Sequence, residues 1–399
     1  MNKKIMILGA SILQLPAIQK AKEMGLEVVA VDMNPNAIGF SEPGIIKEVI
    51  STVDIPAVVE CAKKYSIDGV MTLASDMPIR TVAAVAKVLG LIGVSEETAL
   101  KATNKAVMRE ALQKGNVPIP KFFKVTNEKE YREAVSNFAA PFIVKPADNS
   151  GSRGIYLVSN IEDAESISVA YSYSHSCSRN GDLVVEEYMI GPEVSVETLT
   201  VNGECNVIQI TDKITTGAPH FVEMGHTQPS QLPENTKQKV AQLAKLANRA
   251  IGIINGPSHT EIIVTNEGPK IVELGARLGG DCITTHLVPL STGVDMVECC
   301  IKIALGETPD ISPTLNKVSA IRYFTQNRGT IKKVNGIEEA KHLNGVKQIS
   351  MVHAIGETVE EINSSSDRIG FVVMQSDSIE NIEALYNDVI DKINIEMGR

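Results

Sequence analysis

His259-Thr260-Glu261-Ile262-Ile263-Val264-Thr265-Asn266-Glu267-Gly268-Pro269-Lys270-Ile271-Val272-Glu273-Leu274-Gly275-Ala276-Arg277 reads as a β-hairpin. Two β-branched runs flank Asn266-Glu267-Gly268, and that turn lies near the midpoint between Glu261 and Glu273. In the register centred there the two glutamates oppose each other, with β-carbons roughly 5 Å apart, where like charges repel. Their apolar neighbours imply partial burial, so the pair needs a cation or a shared proton. Two hard carboxylates with little else nearby suit Mg²⁺ or Mn²⁺, the ion completing its shell with phosphate and water. A slipped register would instead leave one glutamate in solvent.

Outward from the hairpin, Gly275-Ala276-Arg277-Leu278-Gly279-Gly280-Asp281 surrounds one arginine with small residues. Such a backbone can approach a ligand closely while the guanidinium clamps an oxyanion. Upstream, Lys145 ends the strand pattern Phe142–Lys145 and precedes the loop Ala147-Asp148-Asn149-Ser150-Gly151-Ser152-Arg153-Gly154, before a second strand at Ile155–Val158. Amides of a Ser/Gly loop can fold over a polyphosphate, with lysine as a point charge. The Walker spacing G-x-x-x-x-G-K-[ST] is not met, and a surface loop would have the same composition. Val184-Val185-Glu186-Glu187-Tyr188-Met189 then runs into the bend Ile190-Gly191-Pro192-Glu193. A strand ending at a bend offers backbone groups to a heteroaromatic edge, or simply carries solvated acids. Val194–Leu199 and Asn206–Ile210 pair around Asn202-Gly203, and a helix follows at Thr236–Ile251.

The first hundred residues alternate strands (Ile5–Leu8, Val28–Val31, Val70–Leu73) with helices (Leu15–Met24, Ile55–Tyr65), which predicts a parallel sheet with helices on both faces. Gly9-Ala10-Ser11 could present helix amides to an anion. It is not a G-x-G-x-x-G fingerprint, so a dehydrogenase is disfavoured, and Asp32 reads as turn chemistry in Asp32-Met33-Asn34-Pro35. Asp76, at the carboxyl edge of the third strand, is a candidate acid for an amine or a helix cap. At 399 residues several packed units are expected, and a net charge of −10 argues against a nucleic-acid partner. No apolar run reaches membrane-spanning length, so a cytoplasmic protein is expected. The six cysteines follow no metal or disulfide spacing, and Cys299-Cys300 read as buried hydrophobes on a helix.

In chain order, Lys105, FIVKPADNSGSRG, VVEEYMIGPEVSVE and HTEIIV…IVELGARLGGD resemble the ATP-grasp superfamily over about residues 105–300. VSAIRYF, Gly336 and SSSDRIGFVVMQ, within 318–399, resemble the C-terminal domain of ATP-grasp L-amino-acid (dipeptide-forming) ligases. Phosphoribosylglycinamide synthetase and biotin carboxylase are more distant likenesses. The resemblance implies a multidomain α/β and α+β chain. Its parts would be an N-terminal pre-ATP-grasp parallel-sheet domain (1–104), an ATP-grasp domain (105–305, with a lid at about 119–185) and a C-terminal α+β domain (306–399).

By that resemblance Lys105 and Lys145 would hold the ATP phosphates, under a lid formed by Ser150, Gly151, Ser152 and Gly154. Glu186, the carbonyl of Glu187 and the amide of Met189 would read adenine, and Glu193 the ribose. Glu261 and Glu273 would hold the metal. Many relatives carry a further metal-ligating Asn two residues after the second glutamate, where this chain has Gly275. Arg277 would lie at the acyl-phosphate, and His226, in VEMGHTQPS, would line the amino-acid pocket. The implied activity is ATP-dependent amide formation between a small carboxylate and an amine through an acyl-phosphate, and the resemblance implies a homodimer, as in related enzymes. Chemistry of the synthetase or carboxylase kind is the alternative, as is a nucleotide-binding protein without catalysis, to which only Gly275 points.

Overall fold

A computed structural model describes residues 2–139, 141–149, 151 and 153–398. Its first sheet is parallel, with strands Ile46–Val49, Glu27–Asp32, Lys4–Leu8 and Gly69–Met71 in spatial order. Ile5 and Ile7 enter one hydrophobic core and Met6 and Leu8 another, so the central strand is covered on both faces, as its unbroken apolar run requires. One face is roofed by Leu15–Glu23 and by Met296–Ala304, the helix that buries Cys299 and Cys300. The edge strand Ile46–Val49 escaped the sequence reading because it is short and half polar, alternating partly buried and exposed residues.

The largest sheet has eight strands, in the order Gly268–Gly275, Gly256–Thr265, Glu193–Val201, Glu204–Thr215, Glu223–Gln228, Val318–Tyr323, Gly370–Ser376 and Val346–Met351. The Asn202-Gly203 turn forms as expected, with φ of 49° and 83°, the doubly positive geometry that two-residue hairpins favour. Glu223–Gln228 pairs with Val318–Tyr323, so three C-terminal strands extend this sheet, while Thr358–Val359, Gly329–Asn335 and Asn394–Gly398 form a separate three-stranded antiparallel sheet. They also close a core of their own around Phe324, Ile331, Val372 and Ile382, under the helix Ile379–Lys392.

A four-stranded antiparallel sheet, Phe122–Val125, Leu183–Glu187, Phe142–Pro146 and Tyr156–Val158, stands apart with its own core around Tyr131, Phe142 and Ala170. The helix Lys105–Lys114 packs between this sheet and the edge of the large one. No helix of the described residues is long and apolar enough to cross a membrane.

Candidate functional site

The hairpin pairs in the expected register, but through a defect. From the turn outward Thr265 meets Gly268 and Ile262 meets Ile271; the ladder then slips by one, and Glu261 meets Glu273. A regular ladder would have set Glu261 against Val272 and sent Glu273 to the opposite face, because side chains alternate. Val272 is the extra residue of a β-bulge on an edge strand, where such bulges concentrate. The glutamate side chains are 18% and 23% exposed, so their repulsion is not dissipated in water.

Cations of the chain offset that repulsion. Lys105 Nζ lies 2.9 Å from Glu273 Oε2, and Lys213 Nζ lies 3.1 Å from Glu261 Oε1. Burial acts against the Lys105 ammonium, but Glu273, Asp76 and Glu261 hold its pKa above the ordinary lysine range. Lys213 also contacts Glu193 at 2.6 Å and Glu223 at 3.5 Å, and these acids keep it charged despite burial. His259 links the fully buried Glu197 (2.7 Å) to Glu261 (3.4 Å), and against burial these acids raise its pKa to about 9. Lys213 and His259 address Oε1 of Glu261, and Lys105 addresses Oε2 of Glu273, leaving each carboxylate a second oxygen for a hard cation. Among the described residues no three His, Cys, Asp or Glu side chains form a metal cage. The donor set fits Mg²⁺, which usually takes one or two carboxylates and keeps the rest of its shell for water and phosphate.

Beside the pair lies a second charge cluster. Lys145 Nζ sits 2.6 Å from Glu186 Oε2, and Arg109 takes the same carboxylate with Nε at 2.6 Å and Nη2 at 3.1 Å. Burial favours the neutral acid, yet Arg109 and Lys145 hold Glu186 down at about 2. The Lys145 pKa is lowered, first by burial and then by Arg109 and Lys105, against the pull of Glu186. Lys105, Lys145 and Arg109 thus gather beside Glu186 and Glu273, and the two lysines can turn to an arriving polyanion. The Glu186 carboxylate, expected at adenine, contacts Arg109 and Lys145, and Glu193, expected at ribose, contacts Lys213.

Lys105 also donates to the carbonyl of Asn149 at 2.7 Å, joining the Ser/Gly loop to Glu273. Gly154 sits at φ 83°, where a β-carbon would fall 2.6 Å from Cys177 Cβ and Pro146 Cγ, so no larger residue fits. Ser150 and Ser152 lie outside the described residues. Gly151 (φ 66°) is exposed and Met189 is buried.

Arg277 donates from Nε and Nη2 to Asp76 at 2.8 and 3.1 Å. The helix-cap alternative for Asp76 needs correcting. Pro78 occupies the N-cap position of the helix Ile79–Leu89 and no side chain caps it, so Asp76 is not the helix cap; its carboxylate is paired with Arg277. A β-carbon at Gly275 would lie 2.9 Å from Asp76 Oδ1, so a side chain there would crowd this ion pair. His226 lies in the strand Glu223–Gln228, 1% exposed, with Nε2 3.5 Å from Asp281 and, among the described residues, no partner at Nδ1. Arg368 grips Asp281 from the far side at 2.7 and 3.0 Å and stacks 3.7 Å from the Tyr323 ring centre.

Arg109, Lys213, Glu197 and Arg368 were not singled out in the sequence. Each is one charged residue inside an ordinary helix, strand or turn pattern. For Arg109 a faint signal existed, its spacing of four from Lys105 on one helix.

Residues 138–285 match the ATP-grasp domain family, and residues 322–398 match L-amino acid ligase C-terminal domain 2. The chain is 27% identical over 307 residues to the L-arginine-specific L-amino acid ligase of Bacillus subtilis, covering 74% of this chain and 73% of that protein. The crystal structure of an L-amino acid ligase from Bacillus licheniformis superposes with a TM-score of 0.86 at 24% identity, covering 100% of this chain and 99% of that one. Phosphoribosylglycinamide synthetase from Anaerococcus prevotii gives 0.81, also at 24%, covering 100% of both. At such identity these structures speak for the fold, and both share the full architecture.

Proposed function

We infer that this chain, a carboxylate–amine ligase carrying an ATP-grasp domain and an L-amino acid ligase C-terminal domain, joins the carboxylate of one amino acid to the amine of another. The observation that carries the reading is the opposed pair Glu261 and Glu273, with Lys105 on one side and Lys145 close behind. Paired carboxylates beside two buried lysines suit a metal–polyphosphate and have little use in a site for an uncharged ligand.

The substrate carboxylate attacks the γ-phosphorus of ATP and ADP leaves. The amine of the second amino acid then attacks the acyl carbon, and phosphate leaves. Lys105 and Lys145 bind the phosphates, and Arg277, aimed by Asp76, neutralises charge on the transferring group. Mg²⁺ held by Glu261 and Glu273 would supply further charge neutralisation on the phosphate oxygens. The loop 147–154, tied to Glu273 through Lys105, would cover the acyl-phosphate and exclude water. No covalent enzyme nucleophile is required. Burial pushes Cys282 and Cys299 up to about 12, so neither offers a thiolate at neutral pH.

The test is phosphate release from Mg·ATP across a matrix of paired L-amino acids, with mass detection of products. Release with particular pairs, and a product equal to both masses minus water, identifies the reaction and its substrates. Silence with every pair, while Mg·ATP still binds, moves the reading to another acid or amine such as a ribosylamine.

A further inference from the structure

Among the described residues no strand pairs beyond the edge strand Gly268–Gly275, so its outward backbone groups need other partners. The helix Lys105–Lys114 and the segment after it provide them. Ile271 N donates to the carbonyl of Pro118 at 3.0 Å, and Leu274 N approaches Met108 Sδ at 3.4 Å. Between them the carbonyl of Val272, the bulged residue itself, accepts from Arg109 Nη2 at 2.6 Å. Lys105, Met108 and Arg109 follow the i, i+3, i+4 spacing of one helix face, and Lys105 holds the Glu273 carboxylate.

Arg109 is 1% exposed, and among the described residues its Nη1 has no partner. A buried guanidinium with an unused N–H is costly, and a hydrophobic residue would fill the helix–sheet contact at less expense. What Arg109 supplies is a rigid fork able to reach the Glu186 carboxylate and the Val272 carbonyl together. Without the bulge Glu273 would leave the face it shares with Glu261.

We propose that Arg109 is a positioning residue that fixes the one-residue bulge at Val272 and so brings Glu273 opposite Glu261 as a cation site. The proposal rests on the metal reading of those glutamates. Lysine cannot replace the fork, because one ammonium does not serve both acceptors in the same geometry.

The experiment is Mn²⁺ binding in the presence of ADP, followed by electron paramagnetic resonance, on the full chain and three variants. Wild type binds Mn²⁺ with ADP. Arg109→Lys weakens Mn²⁺ by about 10–100-fold, the range for a lost orienting contact to a metal ligand. Deleting Val272 restores a regular ladder that already sets the following glutamate opposite Glu261. That deletion alone therefore keeps Mn²⁺ affinity, and in the Arg109→Lys background it recovers most of the loss. A merely structural arginine would show neither the Mn²⁺ effect nor the rescue. Arg109→Lys binding Mn²⁺ like wild type overturns the proposal, as does a Val272 deletion that abolishes Mn²⁺ binding in an otherwise folded chain. If Arg109→Lys does not fold, the Val272 deletion alone decides. A folded wild type that binds ADP and no Mn²⁺ removes the metal reading, and the proposal with it.

Discussion

Asp76 and Arg277 stand 201 positions apart in sequence and meet as a two-pronged ion pair, Nε to Oδ1 at 2.8 Å and Nη2 to Oδ2 at 3.1 Å. Burial opposes both charges, yet each partner overcomes it, holding Asp76 below the usual carboxylate range and Arg277 above its own. Asp76 follows the N-terminal sheet and Arg277 follows the hairpin, so one interaction ties the two units at the point where charge would transfer. Asp76→Asn keeps the size and removes the charge. Losing one partner of a buried pair costs about 3–5 kcal/mol of stability, and a misaimed arginine about 100-fold in kcat/KM. Denaturant titration and steady-state phosphate release measure the two. An unchanged kcat/KM would show that Arg277 does not need aiming.

Glu273 offers the most direct test of the metal. Glu273→Gln keeps the shape and leaves Lys105 without its carboxylate. Substrate-dependent ADP release falls by about 100-fold or more, on the scale of lost electrostatic stabilisation at a reacting phosphate. Wild type treated with a chelator loses activity similarly, and regains it with Mg²⁺ or Mn²⁺. Turnover by Glu273→Gln at the wild-type rate would remove the residue from the site.

The Glu186 cluster predicts an acid-side instability. A carboxylate whose folded pKa is depressed stabilises the fold above its unfolded value, and that stability fades as pH falls through the folded value. With a folded pKa of about 2 and an ordinary glutamate near 4.3, the window runs from roughly pH 5 down to 2. The contribution is on the order of 3 kcal/mol at most, since one pKa unit is about 1.4 kcal/mol. Glu186→Gln is less stable at neutral pH, and its stability depends less on pH across that window. Denaturant midpoints at several pH values check this; parallel wild-type and variant curves would refute it.

Much of this was legible in the chain because periodicity is local. The run Ile5–Leu8 and the helix Ile55–Tyr65 need nothing beyond their own residues to be recognised. The Glu261 and Glu273 register was also readable, since the turn lies between them. The bulge that delivers it was not, because the contact at Val272 comes from Arg109, more than a hundred residues upstream. The same limit applies to Asp76: an acid after a strand looks like a cap until the fold brings Arg277 against it. Lys213 is the clearest case. A lysine within Glu204–Thr215 reads as a solvated strand residue, yet it is buried among Glu193, Glu223 and Glu261.

The link from Arg368 to His226 yields a prediction about substrate affinity. Asp281 and Cys282 have φ of 49° and 61°, left-handed values that cost a non-glycine residue on the order of 1–3 kcal/mol and persist only where the surroundings enforce them. The enforcing contact is Arg368, clamped on Asp281 with two hydrogen bonds, stacked on Tyr323 and donating to the Glu223 carbonyl at 3.1 Å. Asp281 in turn faces His226 Nε2. Arg368→Lys loses both the fork and the stacking. If His226 lines the amino-acid pocket, KM for one amino acid rises about tenfold, the effect of about 1.4 kcal/mol, while KM for ATP and the nucleotide affinity stay as in wild type. Steady-state kinetics with each substrate varied in turn separates these. Equal KM values in variant and wild type would detach Arg368, and with it Asp281, from the pocket.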